Sequence, residues 1–184
     1  MNTLARVTLC VLLSAAGAGA GELGESSAVV GVPMKGEEAV AFLTDAEIIG
    51  EPESFDEAAI TGPLRVTLSD GSRTLRAVFK HEDTRYPEFR FSDGREVEEA
   101  RDSYRHEIAA YELNRLLGLD LVPPCVERKI ESKSGSLCFW VESAMTEAER
   151  RMRGLQSSDP EQYRGQLREV ELFQQLIADL DYSD

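Results

Sequence analysis

Positive charge is what this chain has least of. It carries 20 Lys and Arg against 34 Asp and Glu, for a formal charge of −14. Nucleic acid and anionic membranes both reward Lys and Arg, so this balance argues against a protein that wraps either. Histidine is nearly missing. Neither His81 nor His106 has a second His, Cys or Asp at metal-ligand spacing, and both read as surface residues. No G-x-S-x-G elbow, H-E-x-x-H pair or P-loop occurs, which leaves hydrolase, zinc-protease and P-loop chemistry without a carrier. Low-complexity tracts are absent too. Hydrophobic residues make up 42% of the 184, enough for the core of one ordinary domain or of part of a larger one.

Long apolar runs are also lacking. Val7 to Ala16 is mainly apolar but falls well short of the roughly 20 residues a membrane-spanning helix needs. It follows a short segment with one basic residue, Arg6, and precedes Ala18-Gly19-Ala20, which has the small-x-small form of a cleavage site. Residues 1–20 therefore read as a cleaved secretory signal, leaving no membrane span and an exported chain, periplasmic or secreted. Cys10 has no small residues before it, against a lipid anchor there. Export implies an oxidising compartment in which Cys125 and Cys138 could pair. The expected hairpin register argues otherwise. A turn on Ser134-Gly135 sets Cys138 opposite a residue near Ile130 and Cys125 opposite one near Ala144, too far apart for a disulfide. Two buried or half-buried thiols are expected.

Residues 21–38 read as a flexible leader of Gly, Ser and Glu, its last residues opening a short helix over Gly36 to Thr44. Ala46 to Gly50 reads as a first strand and Glu51 to Thr61 as an acidic loop. Leu64 to Leu68 and Thr74 to Lys80 alternate in the manner of strands, and Asp70-Gly71 between them is a strong hairpin signal because Gly accepts positive φ. The second of these strands puts Leu75, Ala77 and Phe79 on one face and Arg76, Val78 and Lys80 on the other. His81 to Val97 looks like an insertion, with a short strand at Glu88 to Phe91. A long helix is expected from about Glu98 to Leu117, capped by Gly118. Beyond the rigid Leu121-Val122-Pro123-Pro124 exit, two strands are expected at Cys125 to Ile130 and Leu137 to Glu142. Thr146 to Arg153 reads as helical. Asp159-Pro160 opens a last helix whose stripe is Tyr163, Leu167, Val170, Phe173, Ile177 and Leu180. The fold class is α+β.

Three acidic or basic residues stand out. A lysine closing an apolar strand, with Val78 two residues earlier on the same face, could floor a nucleotide pocket, provided a carboxylate holds its ammonium in place. Glu107 borders the apolar edge of the long helix and is positioned to do that. Spacing alone favours a snorkelling Lys80 and a solvated Glu107, because both residue types are common and mostly solvated. Asp181 opens an Asp-Tyr-Ser-Asp run at a helix exit, where a carboxylate could take a proton from an attacking hydroxyl or be part of a frayed acidic end.

Leu64-Arg65-Val66-Thr67-Leu68-Ser69-Asp70-Gly71, Arg76-Ala77-Val78-Phe79-Lys80, the run from Glu107 to Leu119 and Val122-Pro123-Pro124 resemble the small lobe of atypical kinases. The nearest in kind are bacterial exported relatives of the phosphoinositide-kinase-like and secretory-pathway casein and xylosyl kinase families. The resemblance spans about Phe42 to Asp184. It implies a small lobe over 39–145, with an antiparallel sheet of about five strands and one long helix, and the first helices of a large lobe over 146–184. It implies ATP and Mg2+ as cofactors, Lys80 on the phosphates, Glu107 as its partner, Val78 in the nucleotide site and Asp181 as the catalytic aspartate. The run from Leu137 to Glu142 would lead into the hinge beside the adenine. Tyr182-Ser183 departs from the usual basic and polar pair, and the sequence stops before the metal-binding Asn and Asp of kinases. The expectation is thus a truncated phosphotransferase, inactive alone and with an unknown acceptor. The alternatives are a non-catalytic exported kinase-like module that binds a partner, and a plain α+β domain with Lys80 and Glu107 far apart.

Overall fold

The computed structural model describes residues 31–54, 62–90 and 94–178. It is α+β. In chain order the elements are α1 (Gly36–Asp45), β1 (Glu47–Ser54), β2 (Leu64–Ser69), β3 (Thr74–Lys80), β4 (Asp83–Arg90), β5 (Glu96–Ser103), α2 (Tyr104–Leu116), β6 (Cys125–Ile130), β7 (Lys133–Phe139), α3 (Glu147–Met152) and α4 (Pro160–Leu176). Five strands form an antiparallel sheet in the order β1-β2-β3-β7-β6, and β4 and β5 form a separate two-stranded ribbon.

The β2–β3 hairpin forms where Asp70-Gly71 places it. Gly71 has φ +87°, and the Asp70 carboxylate accepts from the Ser72 and Arg73 amides at 2.9 and 2.8 Å. The sheet separates two cores because side chains alternate across it. On one face Ala39, Phe42 and Leu43 of α1 pack on Val66, Leu68, Ala77, Phe79, Leu137 and Phe139. On the other, Ala110 and Tyr111 of α2, Cys125, and Val170 and Phe173 of α4 form the second core with Leu121 and Val122. Met34 is buried in the first core and Gly31 bridges Glu142. The fold thus takes in residues 31–38, which the sequence reading gave to the leader. The expected signal and the rest of the leader lie outside the described residues.

Three further expectations are corrected. Strand β1 runs on to Ser54, across a register shift between Ile49 and Glu53 that takes in Gly50 at φ +73°, so Glu51 to Ser54, expected in the acidic loop, belong to the sheet. The helix expected from Glu98 starts only at Tyr104, because 96–103 pair with β4 from Asp83↔Ser103 to Arg90↔Glu96. The β6–β7 hairpin turns on Glu131-Ser132, with Glu131 at φ 54° and Ile130 paired to Lys133, and not on Ser134-Gly135. That shift sets Cys125 directly opposite Cys138, with Cα atoms 4.0 Å apart, and the two form a disulfide. The two free thiols expected from the sequence are therefore one cross-strand bridge.

Helix α4 begins as its sequence requires, with the Asp159 carboxylate accepting from the Glu161 and Gln162 amides. Glu147 pins it to α3. That carboxylate accepts from Arg150 Nε at 2.6 Å, Arg150 Nη2 and Arg151 Nε at 2.8 Å, and the Tyr163 hydroxyl. Arg150 above all holds the Glu147 pKa down, from 4.5 to about 2. A depressed folded-state pKa contributes stability that is complete above the unfolded value and is lost as pH falls through the folded one. Wild type is therefore expected to exceed Glu147→Gln by about 1 kcal/mol at pH 6, after allowance for solvent screening. The difference should vanish between about pH 4.5 and 2, as read from urea midpoints. A constant difference across that range would sink this assignment.

Candidate functional site

Strand β3 sends Ala77 and Phe79 into the α1 core and turns Arg76, Val78 and Lys80 to the opposite face. Helix α2 packs over β6 and β7, and it brings Glu107 to Lys80. The Nζ donates to Oε1 at 2.5 Å, with the side chains only 19% and 15% exposed. At that burial the pair is a short charge-assisted bond and not a solvated surface contact. The structure thus brings together Lys80 and Glu107, which are 27 residues apart in sequence. Val78, half-buried, lies two residues from Lys80 on the same strand face. Asp181 lies outside the described residues.

Neighbours on this face follow from register. Lys80 pairs with Ser136, and Ser136 with Glu127. Val78 pairs with Cys138, and Cys138 with Cys125. Ser136 is wholly buried and its hydroxyl has no hydrogen-bond partner. Past the end of β7, Trp140 has the Arg65 and Arg76 guanidiniums 5.8 and 5.6 Å from its ring. Arg65 also pairs with Glu53 and Arg76 with Glu142. The run expected to lead into a hinge therefore leaves the sheet at Phe139, carrying an aromatic side chain flanked by cations.

Both ends of α2 are tied down. At its start the Tyr104 amide donates to the Glu82 carbonyl at 2.9 Å, and the Tyr104 hydroxyl to Glu127 Oε1 at 2.8 Å. That bond to Glu127, with burial, raises the Tyr104 pKa. The Asp83 carboxylate accepts from Arg101 at 2.9 and 2.7 Å and from Arg105. The Ser103 hydroxyl and then Arg101 lower its pKa to about 2. At the far end Asn114, 3% exposed, accepts from the Leu121 and Val122 amides at 2.9 and 3.3 Å and so shapes the Pro-Pro exit. Sequence reasoning missed all of these. Asn114 alone had a signal, since it follows Tyr111 by three residues on the buried edge of the helix.

The histidines differ from expectation in one respect. His81 is half-buried, with Nε2 2.7 Å from Lys133 Nζ, and burial, then Lys133, lowers its pKa. His106 is exposed. Among the described residues, no group of three or more His, Cys, Asp or Glu could hold a metal ion, and no helix is long and apolar enough to cross a membrane. Comparison of the chain with protein-family models, curated proteins and solved structures finds no match.

Proposed function

We propose that this chain carries the nucleotide-binding small lobe of an ATP-dependent phosphotransferase of the kinase-like type, acting on an acceptor outside the cytoplasm. One observation carries the reading: a lysine at the end of the third strand is held at 2.5 Å by a glutamate of the next helix, in a half-buried setting. Phosphoryl transfer leaves little covalent work to the protein and depends on placing cations where charge gathers. A lysine free to wander stabilises nothing, and kinases restrain theirs with this strand–helix pair. Lys80 fits the phosphates, and Val78 fits the floor of the base site. Mg2+, when bound, would supply charge neutralisation at the phosphates. The described residues offer it no ligand cluster, and the cation they place for the phosphates is Lys80. Asp181 would take the acceptor proton.

The only tryptophan of the chain lies at the end of β7 near this face, which makes the test direct. ATP with Mg2+ is expected to change Trp140 fluorescence and to raise the melting temperature. The gain corresponds to about 2.7 kcal/mol at a hundredfold excess over Kd. Lys80→Met should weaken nucleotide binding at least about tenfold, or about 1.4 kcal/mol. Each protein is compared with itself with and without nucleotide, because the variant also leaves Glu107 without its cation. Wild type that no nucleotide shifts would sink the reading.

A second reading, a non-catalytic exported module that binds a partner, is favoured by the Cys125–Cys138 disulfide. Disulfides persist in oxidising compartments, where ATP is scarce. Absence of any nucleotide effect on a properly oxidised chain supports it.

A further inference from the structure

We propose that Asp83 is the positioning residue for the Lys80–Glu107 pair, setting the first turn of α2 against the exit of β3. Its functional consequence rests on the nucleotide-site reading above. Its geometry does not.

Something must fix α2 in both rotation and height. One residue of slippage along a helix turns a side chain by about 100°, enough to swing Glu107 off Lys80. The 27-residue separation cannot supply that precision by chain connectivity alone. The ribbon body does not supply it either, since among the described residues its buried apolar side chains are only Phe89 and Ala100. The fixed points lie at the ribbon's base, in the two residues that precede and open β4. Glu82 offers its carbonyl to the Tyr104 amide. Asp83 gathers Arg101 from the end of β5, Arg105 from α2 and the Ser103 hydroxyl at the helix N-cap. Arg105 in turn lies 4.7 Å over the ring of Tyr104, whose hydroxyl is spent on Glu127. Asp83 thus joins strand exit, ribbon and helix start, three residues beyond Lys80.

This clasp is ionic and open to water, with Asp83 28% and the two arginines 51% and 54% exposed in their side chains. The pair it positions is less exposed. Salt therefore loosens the clasp before it screens the Lys80–Glu107 bond directly.

The experiment measures the acylation rate of Lys80 by acetic anhydride in the nucleotide-free full chain, by peptide mass spectrometry. The paired ammonium reacts slowly, and the rate follows the fraction of chains in which the pair is open. Asp83→Asn is expected to raise the rate about fivefold and to abolish its rise with added salt. Asp83→Glu, which keeps the charge, should restore most of the protection. Glu99→Gln, which breaks only the Arg85–Glu99 contact in the ribbon, should change nothing. If Asp83→Asn does not fold by circular dichroism, Arg105→Gln tests the same contact from the helix side. A wild-type rate in either folded variant overturns the proposal. Failure of ATP to protect wild-type Lys80 would instead remove the nucleotide reading and leave the clasp standing, so the two are separable.

Discussion

Gly135→Ala is expected to destabilise the fold by about 3 kcal/mol or more, the upper end of what overpacking costs. A Cβ built on Gly135 meets the Lys80 carbonyl and comes within 2.6 and 2.7 Å of the Phe79 ring. Neither neighbour can yield cheaply. The Lys80 carbonyl is backbone, in the strand that pairs with β7, and Phe79 is 1% exposed in the α1 core. Other glycines behave differently. Gly71, with nothing within 4 Å but φ +87°, should cost only the roughly 1–2 kcal/mol of a left-handed residue. Because the collision falls on the residue that carries the ammonium, Gly135→Ala should also raise the acylation rate of Lys80. Urea midpoints check the first expectation and mass spectrometry the second. A midpoint equal to wild type would mean that the Phe79 ring does not lie over Gly135.

Removing the Cys125–Cys138 bridge comes next in size. The cysteines are 13 residues apart, and tying a loop of about that length restrains the unfolded chain by about 3 kcal/mol. For a chain of this size that is roughly 6–12 °C in melting temperature. The bridge also sits beneath α2, with Cys125 2% exposed and packed in the second core, and Cys138 is the cross-strand neighbour of Val78. Loss of the bridge should therefore weaken any ligand on the Lys80 face as well as the fold. The double variant Cys125→Ala, Cys138→Ala should melt lower than oxidised wild type and be indifferent to dithiothreitol, whereas wild type should lose stability on reduction. Three titratable thiols in denatured, unreduced full-length chain would exclude the bridge.

Each half of the Lys80–Glu107 pair was legible for a local reason, whereas their meeting was not. Alternation puts Lys80 opposite Phe79 on its strand, and helical spacing puts Glu107 at the border of the Tyr104–Tyr111 edge. The cysteine pairing was misjudged through a single glycine. Gly135 looks like a turn residue, but the hairpin turns on Glu131-Ser132, and the glycine is there because Phe79 leaves no room for a side chain. The error propagated: displacing the turn shifted the register, and the register decided which cysteines face each other. The helix start failed for a related reason. Glu98 to Ser103 has helix-compatible composition, but β4 offers every residue of it except Glu99 a strand partner, and weak propensity yields to pairing. Asp83 carried no signal at all, since its three donors come from residues 18 to 22 positions further on.

Amino-acid order alone was enough for the alternating strands, the Asp70-Gly71 hairpin, the Asp159 cap and the placing of Lys80 and Glu107 each at the border of an apolar segment. Those depend on free energies between residues a few positions apart, which the sequence spells out. Register, the disulfide, the late start of α2 and the clasp at Asp83 arose only when distant segments competed for the same space, because the atoms that settle them, the Phe79 ring and the edge of β4, become neighbours only in the folded chain.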